Sequence, residues 1–101
     1  MINGTLTLIN RKYEKDEFGV DKEKVEKKYD IFCNANYPTR NEFYQASRSG
    51  LRPSYEFIIH PLDYDSENEV EFEGKVYRIY RVYQSDADHL ELYTEERVGN
   101  A

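Results

Sequence analysis

Residues 69–83, EVEFEGKVYRIYRVY, alternate polar and apolar side chains on both sides of Glu73-Gly74. An alternation of period two around a glycine, which tolerates the backbone angles that tight turns need, predicts a β-hairpin. Val70 and Phe72 share one face against Glu69, Glu71 and Glu73. Beyond the turn, Tyr77, Ile79 and Arg81 face opposite to Val76, Arg78, Tyr80 and Val82. A lone hairpin is marginal in water and leaves an apolar face and two edges open, so the rest of the chain must cover them.

The other periodic segments supply that cover. Thr5 to Tyr13 puts Leu6 and Leu8 on one face, and Tyr29 to Tyr37 aligns Tyr29, Ile31, Cys33, Ala35 and Tyr37 with Phe32 opposite. In SYEFIIHPLDY, Tyr55, Phe57 and Ile59 alternate with Glu56, Ile58 and His60 until Pro61 ends the strand. HLELYTEE places Leu90 and Leu92 together. The expected fold is mainly all-β: a six-stranded antiparallel barrel or sandwich with one short helical insert, a single domain over residues 1–101. Residues 96–101 read as a loose tail.

Two segments break the pattern. EKDEFGVDKEKVEKK is densely charged with Gly19 at its centre, and reads as a mobile hairpin loop at about 14–28 whose arms fray from the sheet. A helix over Asp21–Lys28 competes, but Val20 and Val25 alone would hold it to a core. The second segment is YPTRNEFYQASRSGLRP. Thr39 and Glu42 match a capping box, in which Thr39 accepts from the Glu42 amide and the Glu42 carboxylate reaches back to the Thr39 amide. Pro38 is placed to staple against Phe43, Gly50 to end the helix in the left-handed region, and Pro53 to prevent its resumption. A helix this short needs docking, and Phe43 and Ala46 form its inward stripe.

Composition narrows the function. Of 101 residues 34% are charged, yet ten Tyr and five Phe supply a thin aromatic core and exclude a disordered chain. The net charge of −6 disfavours a general nucleic-acid binder, which needs clustered lysine and arginine. Cys33, the single cysteine, reads as a buried strand residue in a reducing compartment. The N-terminus MINGTLTLIN lacks signal-peptide character, and no apolar run approaches the ~20 residues of a membrane span, so a cytoplasmic origin is expected.

No catalytic, cofactor-binding or metal-ligating constellation emerges. His60 and His89 sit at strand ends, away from any nucleophile motif. Asp63, Asp65, Glu67, Glu69, Glu71 and Glu73 fall on alternate positions, but Asn68 and Gly74 occupy the glycine and bidentate-glutamate places of a calcium loop. That row reads as a solvated strand face. KVYRIYRVY is the one rival signal. Its Lys75, Arg78 and Arg81 interleave with Tyr77, Tyr80 and Tyr83, as in single-strand nucleic-acid binders, although Tyr80 and the arginines fall on differing faces. Tyr77, Arg78, Tyr80 and Arg81 equally make a candidate protein-interface patch.

The ordered set of segments resembles the phage head–tail joining family, also described as head-closure or head–tail adaptor proteins. The resemblance rests on Glu42-Phe43-Tyr44-Gln45-Ala46 after the second strand, the alternating strand Tyr55 to Ile59, the hairpin positions Val70, Phe72, Gly74, Lys75, Tyr77 and Ile79, and the closing LELY at Leu90 to Tyr93. Many relatives carry a tryptophan before the helix; this chain has none and offers Phe32 there. The resemblance implies a small β-barrel that works as a structural subunit of a virion. It would form a ring with itself below the portal or adaptor protein, extend or close the DNA channel, and bind a tail-completion protein. Packaged DNA would be channel content only, and no membrane or cofactor is implied. Arg40, Glu42, Tyr44 and Arg48 then become a channel-facing or inter-subunit segment. Asp16, Glu17, Phe18, Asp21 and Lys22 become an inter-ring contact arm.

Overall fold

The computed structural model describes residues 2–97. Six strands and one helix follow in the order β1 (Ile2–Lys15), β2 (Asp21–Asn36), α1 (Arg40–Arg48), β3 (Pro53–Ile59), β4 (Glu69–Phe72), β5 (Lys75–Asp86) and β6 (His89–Glu96), with one 3-10 turn at Pro61–Asp63. All pairings are antiparallel, and the order β1-β2-β3-β6-β5-β4 closes on itself through β1 and β4. Of the barrel or sandwich with one helical insert that the sequence predicts, the strands form the barrel. Glu73 and Gly74 turn the β4–β5 hairpin with φ of 51° and 81°, the paired left-handed angles of the tightest hairpin turns. Of the tail, Glu96 belongs to β6 and the Arg97 amide donates to the Val76 carbonyl at 3.0 Å; residues 98–101 lie outside the described residues.

The alternation delivers the core. Leu6, Leu8, Cys33, Ala35, Phe57, Ile59, Val70, Phe72, Tyr77, Leu90 and Leu92 form one buried cluster, with Ile31, Tyr55, Tyr64 and Ile79 packed against it. Its centre is aromatic: Phe57 meets Phe72 edge-on at 5.1 Å between ring centres, and Tyr55 meets Tyr77 at 5.5 Å. Edge-to-face pairs of this kind contribute about 0.5–1.5 kcal/mol beyond the area they bury. Cys33 lies in this wall, and burial pushes its thiol up to about 11.

The charged segment departs from the expected loop. β1 and β2 stay paired from Leu8↔Lys28 out to Lys15↔Asp21, so only residues 16–20 turn and the rest is a two-stranded arm. The molecule measures 47 × 31 × 24 Å along its principal axes. The ladder persists because cross-strand charge pairs and a fixed base replace a hydrophobic face. At the base, Arg11 on β1 donates to Glu69 on β4 at 3.0 Å and also pairs with Glu23 on β2. Asn68 caps the free edge of β1, accepting from the Arg11 amide and donating to the Arg11 carbonyl, both at 2.9 Å. A bulge opposite Thr7, with Asp30 at φ 57°, bends β2 where the arm leaves the barrel.

The same base corrects the solvated row of acids. Glu67 and Glu69 are buried, not solvated. Lys28 approaches Glu67 at 3.0 Å, and the Asp65 amide donates to it at 2.7 Å. Arg11 and, at 3.8 Å, Arg97 serve Glu69. Buried carboxylates persist only with such partners, and the charged ones, Lys28, Arg11 and Arg97, come from sequence-distant positions.

Candidate functional site

α1 begins as the capping signal requires: Thr39 Oγ1 accepts from the Glu42 amide at 3.1 Å. It ends in a Schellman motif, with the Leu51 amide on the Ala46 carbonyl, the Gly50 amide on the Ser47 carbonyl, both 3.0 Å, and Gly50 at φ 82°. The reciprocal half of the capping box is absent. Glu42 does not turn back; it crosses to β5, where the Tyr80 hydroxyl donates to Oε2 at 2.8 Å and Arg81 pairs with Oε1. The Thr39 backbone amide instead lies near Glu56 on β3, where it favours the ionised carboxylate.

A register shift between Ile79 and Arg81 against β6 makes this possible. In a regular strand Tyr80 and Arg81 would face opposite ways, and the extra residue lets both reach one carboxylate. Arg81 also lies 3.9 Å above the Tyr93 ring, and the Tyr93 hydroxyl donates to Glu91. Burial first, and then the hydrogen bond to Glu42, drives the Tyr80 phenol well above its ordinary value; burial and Glu91 do the same to Tyr93. Glu56 thus lies near two further carboxylates, Glu42 and Glu91, with Arg81 as the opposing charge. Glu56 is raised, chiefly by burial and then by Glu42 and Glu91.

Apart from this latch the helix is lightly held. Ala46 is its one buried residue, and Phe43, expected inward, is 53% exposed. Phe43 is displaced because the polar contacts of Glu42 turn that side of α1 towards β5. Tyr44 is also exposed, with Arg48 stacked on its ring at 5.9 Å, and Arg40 sits on the exposed first turn. Arg40, Tyr44 and Arg48 therefore lie outward, while Glu42 is engaged within the fold.

On the arm, Asp16 builds the turn. Its carboxylate accepts from the Phe18 and Val20 amides at 2.8 and 2.9 Å, with Lys22 at 3.7 Å, and Gly19 takes φ 77°. Phe18 projects from the tip, 82% exposed, with Glu17, Val20 and Asp21 exposed around it. The four-residue patch on β5 does not gather. Tyr77 lies in the core against Tyr55 and Phe57, Arg78 pairs with Glu95 on β6, and Tyr80 and Arg81 hold Glu42. Sequence reasoning missed the roles of Glu69, Arg11 and Glu56, since no local spacing joins them. Among the described residues no cluster of three or more His, Cys, Asp or Glu is placed to hold a metal, and no helix is long and apolar enough to cross a membrane.

No curated protein matches the chain. The family model of the phage head completion protein matches residues 2–97, so the match includes the barrel, the arm and the latched helix. The chain belongs to the phage head completion protein family.

Proposed function

We propose that this structural protein of the phage head is a subunit of the head–tail connector, forming a ring with copies of itself below the portal or adaptor protein. The ring extends or closes the DNA channel and offers a surface to a tail-completion protein. The protein would then reside in the virion after assembly in the host bacterial cytoplasm. The observation that carries this reading is the arm: a paired, charged hairpin anchored at its base by Arg11 and Glu69 and ending in an exposed Phe18. Beyond the Arg11–Glu69 and Lys28–Glu67 pairs at its root, the arm extends away from its own barrel, and such a projection suits an inter-ring contact. A ring of identical subunits needs a head-to-tail interface between different patches, and the arm and the outward side of α1 provide two. An acidic chain also suits a DNA channel, because like charge opposes sticking to phosphate.

The single-strand nucleic-acid reading gains no support, since Tyr77 is in the core and Tyr80 and Arg81 are engaged by Glu42. The test is electron microscopy of connectors reconstituted from portal, adaptor and this protein. Wild-type protein should add a ring, and Phe18→Asp at the arm tip should abolish the addition while leaving the barrel's circular dichroism unchanged. Absence of any added ring with the wild-type protein would sink the connector reading; a ring formed equally by Phe18→Asp would remove the arm from it.

A further inference from the structure

On its β3 side, β2 is paired only from Asn34↔Ile58 to Asn36↔Glu56, although β2 itself runs back to Asp21. Where that ladder stops, β2, the Asn3–Thr5 stretch of β1, the end of β3 and the β5–β6 turn enclose an open groove of about 670 Å³. The bulge at Asp30 carries β2 away from the barrel just beyond it. The groove thus lies beside an unused strand edge, which is a template for pairing with another extended chain.

The lining is specific in character. Phe32 is 81% exposed, a large aromatic with no cover, and Ile58 lies beside it. The rim is acidic, with Asp63 and Asp88, and no lysine or arginine lines the groove. Asp88 is held in place. His60 Nδ1 accepts from the Leu62 amide at 3.1 Å, which leaves Nε2 to carry the proton of the neutral ring and face Asp88 at 3.6 Å. Asp86 accepts from the Asp88 amide at 2.8 Å and fixes the turn that presents Asp88. An apolar floor beside an acidic rim without a resident cation is complementary to an apolar side chain next to a basic one.

We propose that this groove docks an extended segment of a partner protein against the free edge of β2, with an apolar side chain on Phe32 and Ile58 and a lysine or arginine reaching Asp63 and Asp88. The proposal is independent of ring formation and is tested on the isolated full chain.

The experiment titrates the ¹⁵N-labelled protein with two capped synthetic pentapeptides, one alternating valine with lysine and one alternating valine with glutamate. The lysine peptide should shift the amides of Phe32, Asn34, Ile58 and His60, and the glutamate peptide should not. Asp63→Asn with Asp88→Asn should weaken the response at least fivefold. Phe32→Ala, at an exposed position that the fold does not need, should do the same. Equal response to both peptides, shifts confined to the arm edge, no response at millimolar peptide, or indifference to these variants would each overturn the proposal. So would groove shifts that grow with protein concentration alone, because they identify a second copy of this chain as the occupant.

Discussion

Glu42 on the first turn of α1 and Arg81 on β5 form the ion pair that fastens the helix to the barrel, and Tyr80 completes it with a hydrogen bond of 2.8 Å. With Ala46 the one buried side chain of α1, this polar contact does what an apolar stripe does in most docked helices.

Glu42→Gln removes the charge and keeps the shape. A hydrogen bond to a charged group contributes about 1.5–3 kcal/mol, and partial exposure of Arg81 places this one near the lower end. The expected melting temperature is lower by roughly 4–8 °C for each kcal/mol lost in a domain of this size. Amide exchange should rise in residues 40–48 before it rises in the barrel, as local opening predicts.

Glu56 makes the latch region sensitive to pH. Its carboxyl is held above the ordinary value of 4.5 by burial, then by Glu42 and Glu91, against the opposing Thr39 amide and Arg81. A carboxyl raised in the folded state is destabilising while ionised, and the penalty is lifted as pH falls through the folded value towards the unfolded one. Glu56→Gln, which keeps the shape without the charge, should melt higher than the parent at pH 7. Thermal scans should show that gap closing at about pH 4, where Glu56 is protonated in the folded and the unfolded state alike.

Arg11 ties β1, β2 and β4 at the root of the arm. Arg11→Met leaves Glu69 buried with only Arg97 at 3.8 Å, and should cost about 2 kcal/mol by denaturant titration. Combining it with Glu69→Gln should cost less than the sum of the two single changes, because the second change removes the charge that the first stranded.

Cys33 is buried in the wall of β2, and its thiol is raised to about 11 by desolvation. A thiol disulfide reagent at pH 8 should therefore react slowly with the native protein and rapidly in denaturant, since only the thiolate attacks. Stopped-flow labelling measures the ratio.

The strands and the cap of α1 were legible because period-two alternation, the Glu73-Gly74 turn and the Thr39–Glu42 spacing are local signals whose physics acts within a few residues. Sequence by itself therefore determined the six strands, the inward set from Leu6 to Leu92, the helix start and its stop at Gly50. Tertiary structure alone decided where the charges went. Glu67 and Glu69 look solvated in a strand of alternating acids, yet Lys28 and Arg11 arrive from the β1–β2 arm and allow their burial. The arm stays a ladder because those same pairs anchor it, whereas its composition alone reads as loop. Glu42 left its capping partner for Tyr80 and Arg81 once a bulge had brought both to one side, and Phe43 turned outward as a result. Hydrophobic periodicity is written along the chain, but a carboxylate's partner is set by closure of the barrel, which brings together residues that no spacing in the sequence connects.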